Sequence, residues 1–224
     1  MTSTPTTKAP STEEVYDDIG AAYEKAFDGL STQQASIQWV LRELKQPSRI
    51  LDIGCGTGRP VCEAFANAGH EVLGIDLSAV MIETAAKNVP NATFEKVDLK
   101  DFIGTANSDS FDAVTAYFSM LAGVTQDDIR RSIEGVARLL KPGGLFVFAT
   151  VPIDANEHPM KWMGRPVVVS SLGVDEVSSL CSKAGFEIVQ QETSKFLPKA
   201  VEAGLCTKEE VWEEPHLFVY AKKA

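Results

Sequence analysis

Apolar positions change their spacing near residue 49, and the change divides the chain into two kinds of sequence. Before it, Ile37, Val40, Leu41 and Leu44 recur at helical intervals and predict an amphipathic helix over about 33–44. Ahead of that stretch, Ser11-Thr12-Glu13-Glu14 forms an S-x-x-E capping box, so a first helix begins there and carries Tyr16 and Tyr23. Beyond residue 49, short apolar runs alternate with longer amphipathic ones, the pattern of a parallel sheet with crossover helices. Strands are predicted at 49–53, 71–75, 93–97, 111–116 and 145–150. The clearest helix, 126–140, opens after Thr125 with Asp128 as its acidic partner and stops at Lys141-Pro142-Gly143-Gly144. A last unit sets a helix at 174–184, closed by Gly185, before strands at 186–193 and 216–221. Residues 152–171 show little periodicity and read as a long loop covering a substrate side.

Composition narrows the class. In 224 residues, 44% of them hydrophobic, nothing breaks abruptly, so a single domain over 11–224 is expected behind a disordered polar tail at 1–10. Lys and Arg number 21 against 31 Asp and Glu, and a net charge of −10 disfavours nucleic acid and anionic membrane as partners. Cys55, Cys62, Cys181 and Cys206 have neither metal-site spacing nor the density of a disulfide framework, which suits a reducing cytoplasm. No metal site is expected, no run of side chains is apolar for long enough to span a membrane, and the chain is expected as a monomer or homodimer.

The sharpest local signal is Ile50-Leu51-Asp52-Ile53-Gly54-Cys55-Gly56-Thr57-Gly58, an apolar strand running into a glycine-rich turn that opens a helix. Such a turn brings bare backbone N–H groups and a helix N-terminus against a nucleotide-like ligand, although tight packing alone also produces glycine turns. A dinucleotide fingerprint, G-x-G-x-x-G, needs its third glycine at position 59, which is Arg59. The glycines fall instead at 54, 56 and 58, behind Asp52. An acid beside the loop suits a ligand with an ammonium and a sulfonium better than a pyrophosphate. The next strand ends in Gly74-Ile75-Asp76-Leu77-Ser78, setting Asp76 about 20 residues past the turn, where a Rossmann carboxylate takes ribose hydroxyls. The competing reading makes Asp76 a helix N-cap, but Ser78 can fill that role. Asp98 is either another acid on the same rim or an ordinary loop residue.

Taken together, these residues resemble the class I S-adenosylmethionine (SAM) dependent methyltransferases, with Phe111-Asp112-Ala113-Val114, Leu139 to Gly144 and Ala184-Gly185-Phe186 similar to later landmarks of that family. The resemblance implies an α/β, Rossmann-like three-layer sandwich: a seven-stranded, mostly parallel sheet in the order 3-2-1-4-5-7-6, its last strand antiparallel, with helices on both faces. It implies a SAM-binding core over 49–150 and an N-terminal helical lid over 11–45. It further implies that Asp52 to Gly58 hold the methionine part of SAM, that Asp76 binds the ribose, that Leu77 and Met81 bracket the adenine, and that Asp98 and Leu99 read its edge. The implied cofactor contacts are Tyr16, Tyr23, Asp52, Gly54, Cys55, Gly56, Asp76, Leu77, Met81, Asp98, Leu99 and Tyr117, and the product is S-adenosylhomocysteine. For Tyr16 and Tyr23, plain helix packing is the competing reading.

On the acceptor side, Ala116-Tyr117-Phe118-Ser119-Met120 lacks the D/N-P-P-Y/F signature of some amine methylation and the carboxylates of metal-dependent enzymes. Phe118, Met120, His158, Trp162 and Met163 are the candidate pocket residues, and no catalytic base is assigned. Glu213 and Glu214 either meet a cationic acceptor or solvate a turn. The resulting expectation is a methyltransferase acting without metal on a small molecule, its acceptor atom open. Protein methylation or SAM binding without methyl transfer are the alternatives, with a nicotinamide-dependent oxidoreductase behind them.

Overall fold

The computed structural model describes residues 10–45 and 47–224, so the tail expected over 1–10 lies outside the described residues except for Pro10. Three helices come first: α1 (Thr12–Ile19), α2 (Ala22–Ala26) and α3 (Ser31–Glu43). The Ser11 box forms as expected, with the Ser11 hydroxyl accepting the Glu14 amide at 3.2 Å and the Glu14 carboxylate accepting the Ser11 amide at 2.7 Å. Gly20, at φ +50°, breaks α1 from α2.

The strand–helix alternation then runs β1 (Arg49–Ile53), α4 (Val61–Asn67), β2 (Glu71–Asp76), α5 (Ala79–Asn88), β3 (Thr93–Lys96), α6 (Leu99–Thr105), β4 (Phe111–Tyr117), α7 (Gln126–Leu139) and β5 (Leu140–Thr150). It ends in β6 (Ala155–Trp162), β7 (Arg165–Ser171), α8 (Val174–Lys183), β8 (Phe186–Phe196) and β9 (Glu214–Lys223). Seven strands form one sheet in the order β3-β2-β1-β4-β5-β9-β8, with β9 antiparallel to both neighbours. With the β6–β7 pair set aside as an insertion, this is the order 3-2-1-4-5-7-6.

Alternation along the central strands fills both faces. Leu51, Ile53, Val114, Ala116, Phe146 and Phe148 join the core beneath α7 and α8, where Ile129, Ile133, Val136, Val177 and Leu180 meet them. Ile50, Ala113, Val147 and Ala149 face the other core, covered by Ile37 and Val40 of α3 and Val61 and Phe65 of α4. Strands apolar on both faces must sit mid-sheet, so the glycine turn after β1 is held at the centre of the fold.

The long loop expected over 152–171 is instead the two-stranded β6–β7 hairpin. Met163 and Gly164, at φ +47° and +77°, make a two-residue turn between Trp162 and Arg165, the geometry whose twist matches paired strands. Val167, Val168 and Val169 supply β-branched side chains to the returning strand. A Met in a left-handed turn position carries little sequence signal, and a shift in register between Ala155 and His158 interrupts the period-two pattern that would have revealed the strand.

Candidate active site

The C-terminal rim of the parallel strands surrounds a cavity of about 630 Å³. Its base is the turn after β1, where Gly54, Gly56 and Gly58 take φ of +67°, +52° and +78°. A Cβ on Gly54 would lie 2.3 Å from that of Ser119, so glycine there serves contact as well as conformation. Around Gly56 nothing lies within 4 Å of a hypothetical Cβ, which leaves bare backbone facing the cavity. The turn is pinned to the next strand: Gly54 and Cys55 amides donate to the Ile75 carbonyl at 2.8 and 3.0 Å.

Two acids beneath and beside the turn differ in their surroundings. Asp52 is 2% exposed and accepts hydrogen bonds from the Thr115 hydroxyl at 2.7 Å and the Cys62 thiol at 3.4 Å. Burial pushes its pKa up to about 7 against the pull of those bonds. Asp76, at the end of β2, accepts the Gly56 amide on Oδ2 and the Ser78 amide on Oδ1, each at 2.9 Å. Burial raises its pKa too, with the backbone amides opposing. Ser78, not Asp76, caps α5, accepting the Met81 amide at 3.0 Å. Asp98 is neither a plain loop acid nor free: it caps α6 by accepting the Lys100 amide at 2.7 Å while still lining the cavity beside Leu99.

Around these, Leu77, Met81, Cys55, Tyr117, Phe118 and Met120 complete parts of the wall. The Tyr117 hydroxyl is engaged with Ser36 Oγ at 2.7 Å. Phe118 sits at φ +55°, a costly conformation for a bulky residue, and its ring stands 4.4 Å from that of His216. The Ser119 hydroxyl is buried in the same wall without a hydrogen-bond partner.

A second cavity of about 300 Å³ adjoins the first, and Thr12, Tyr16, Tyr23, Phe27 and Phe118 belong to both walls. The β6–β7 hairpin contributes Met160, Trp162 and Val167 to Val169, while Val15, Leu121 and Trp212 add further apolar surface. Tyr16 and Tyr23 pack edge to face at 6.2 Å, and Trp162 lies 6.2 and 6.4 Å from them. Burial pushes both phenols up, and the nearby charges of Asp76 and Glu214 add to it. Helix α1 lies over the site with exposed ion pairs from Glu13 to Lys96 at 2.6 Å and from Asp18 to Arg165 at 2.7 Å at its margins.

Two candidate pocket residues are displaced from this arrangement. His158 is exposed on β6, and Met163 is buried at the hairpin turn against Ala26 and Ala200; neither lines either cavity. Met163 is carried past the pocket by the hairpin turn, whereas His158 shares the face of Met160 and Trp162 but lies farther from the turn, beyond the cavity wall. Met120 lines the larger cavity and not the smaller. Leu121, Met160 and the Val167–Val169 run went unassigned from sequence; only the β-branched run offered a signal.

Residues 50–144 match the family described as "Methyltransferase domain". A dTDP-4-amino-2,3,4,6-tetradeoxy-D-glucose N,N-dimethyltransferase of Saccharopolyspora spinosa is 33% identical over 141 residues, covering 62% of this chain and 54% of that protein. A ubiquinone biosynthesis O-methyltransferase of Paracidovorax citrulli is 28% identical over 169 residues, covering 68% and 69%. Among solved structures, an S-adenosylmethionine dependent methyltransferase of Mesorhizobium loti matches with a TM-score of 0.58 and 26% identity over 85% of this chain and 99% of that one. The chain spans about half the length of several of the curated relatives it matches.

Proposed function

We propose that this chain is a class I SAM-dependent methyltransferase that transfers the methyl group of SAM to a small organic acceptor without a metal ion. The observation that carries the reading is the pair of adjoining cavities with a shared aromatic wall: a larger, more polar one built on the glycine turn and Asp76, and a smaller, more apolar one beside it. The residues present fit SAM. Gly56 exposes bare backbone, Asp52 lies beside the turn for a cationic amino acid head, and the Asp76 carboxylate, oriented by backbone amides, lines the cavity where it can accept ribose hydroxyls. Leu77 and Met81 offer apolar surface for an adenine, with Asp98 and the first amide of α6 at its edge.

When bound, SAM supplies an electrophilic methyl carbon: the acceptor's lone pair forms the new bond as the carbon–sulfur bond breaks toward sulfur. The chain's part is to align and to exclude water. Tyr16, Tyr23 and Phe118, at the junction of the cavities, hold the two reactants in register, and α1, α2 and the hairpin close the site from solvent. A small-molecule acceptor is favoured by the size of the second cavity, about 300 Å³, and by relatives named for small-molecule substrates. No described helix is long and apolar enough to cross a membrane.

The test is transfer from methyl-labelled SAM in a metabolite extract. Label is expected in a low-molecular-weight product. Label in the protein fraction would move the assignment to protein methylation, and SAM binding without labelled product would leave a SAM-binding protein.

A further inference from the structure

Two adjacent acids near the C-terminus meet opposite fates. Glu213 is exposed and pairs with Lys195 at 3.1 Å, whereas Glu214, the first residue of β9, is only 7% exposed and lines the smaller cavity. Strand alternation separates them. Glu214 is held from behind: the Trp162 indole donates to its Oε1 at 2.8 Å, and His216 Nε2 lies 3.3 Å from its Oε2. His216 is fully buried and its Nδ1 has no partner, so the tautomer protonated on Nε2 is the one that gives Glu214 a donor.

The rest of that wall cannot balance a carboxylate. Among the described residues lining the smaller cavity there is no Lys, Arg or His, and the surfaces next to Glu214 are aromatic or aliphatic, with Tyr16, Phe118 and Trp162 among them. Hydrogen bonds from Trp162 and His216 orient the carboxylate from behind, and on its cavity side the apolar lining offers it no cation, so it favours a cation or a strong N–H donor and disfavours an anion. Aromatic walls add attraction for a cation and none for an anion. A cavity that served only to bury an apolar molecule would gain nothing from this acid.

Resting on the methyltransferase reading, we propose that the smaller cavity takes an apolar nitrogen base, an amine or N–H heterocycle without carboxylate or phosphate, and that Glu214 selects and orients it. Glu214 is the specificity-determining residue of the acceptor site, and Trp162 and His216 are its positioning residues.

The experiment is calorimetric titration of the protein saturated with S-adenosylhomocysteine, using matched probes in a phenyl and an indole series: arylethylamines, the corresponding alcohols and the corresponding arylacetates. The amines are expected to bind at least about 10-fold tighter than the arylacetates, with the alcohols between. In Glu214→Gln, which keeps the shape and an acceptor for Trp162, that preference should collapse to within about threefold. Arylacetates binding as well as amines, no binding by any probe, or a preference that survives Glu214→Gln would overturn the proposal. If the variant does not fold, the order of the probes on the wild-type protein still decides. The first titration separates the two readings: failure to bind S-adenosylhomocysteine sinks the methyltransferase assignment, whereas binding it without preferring amines sinks only the role of Glu214.

Discussion

At the scale of single residues, the carboxylate of Asp76 has both a structural and a proposed ligand role. It holds the Gly56 and Ser78 amides, so the glycine turn and the start of α5 are set by the same side chain proposed to take the ribose. Asp76→Ala is therefore expected to lower SAM affinity by at least ~10-fold and also to cost about 1–3 kcal/mol of stability, from orphaned amides. Calorimetric titration and urea unfolding of the one variant check both; stability loss with intact affinity would refute the ribose role. Asp52 makes a different demand. Its ordinary pKa is 3.8 and burial lifts it to about 7. Between those values the native protein holds a proton that the unfolded chain has released. The stability this group contributes is thus complete below its unfolded value and is lost as pH rises through about 7. Relative to Asp52→Asn, the wild-type protein should lose unfolding midpoint between pH of about 4 and 7 and level off above that. Equal pH dependence in the two proteins would show that Asp52 does not titrate in that window.

At the scale of elements, the cover over the site is built from two unlike pieces. Helix α1 packs Val15 and Ile19 inward, and its ion pairs through Glu13 and Asp18 involve side chains exposed enough to contribute little. Removing residues 1–26 takes Tyr16 and Tyr23 from the shared wall, and SAM binding should weaken; unaltered affinity in titration would confine both tyrosines to the acceptor side. The hairpin depends on its turn. Gly164→Val would force a β-branched residue to φ +77°, with its Cβ 3.2 Å from Glu210, at a cost of about 1–2 kcal/mol. Because the hairpin walls only the smaller cavity, acceptor turnover should fall while SAM affinity holds. A variant with normal turnover would mean that the hairpin is dispensable to the acceptor site.

At the scale of the whole molecule, ligand binding and folding are linked. SAM or S-adenosylhomocysteine at ~100 times its dissociation constant should add about 2.7 kcal/mol and raise the thermal midpoint, and NAD should not. A shift with NAD and none with SAM would reverse the cofactor assignment. The sequence alone determined the sheet and the placement of the glycine turn and Asp76 on its rim, because local rules write both: apolar runs that must be buried on two faces, glycines at turn positions, and acids at strand ends. Cap chemistry was equally local, and the Ser11 box and Ser78 formed where they were read. What only the tertiary structure decided lies where distant segments meet. Tyr16, Trp162 and Glu214 come from α1, the hairpin and β9, brought together by the antiparallel last strand and by a turn that Met163 and Gly164 take against weak local preference. The same packing carried His158 and Met163 out of the pocket, buried Glu214 while leaving Glu213 in solvent, and raised the pKa of Asp52. Burial and proximity across the chain are many-body properties, and no spacing along a sequence encodes them.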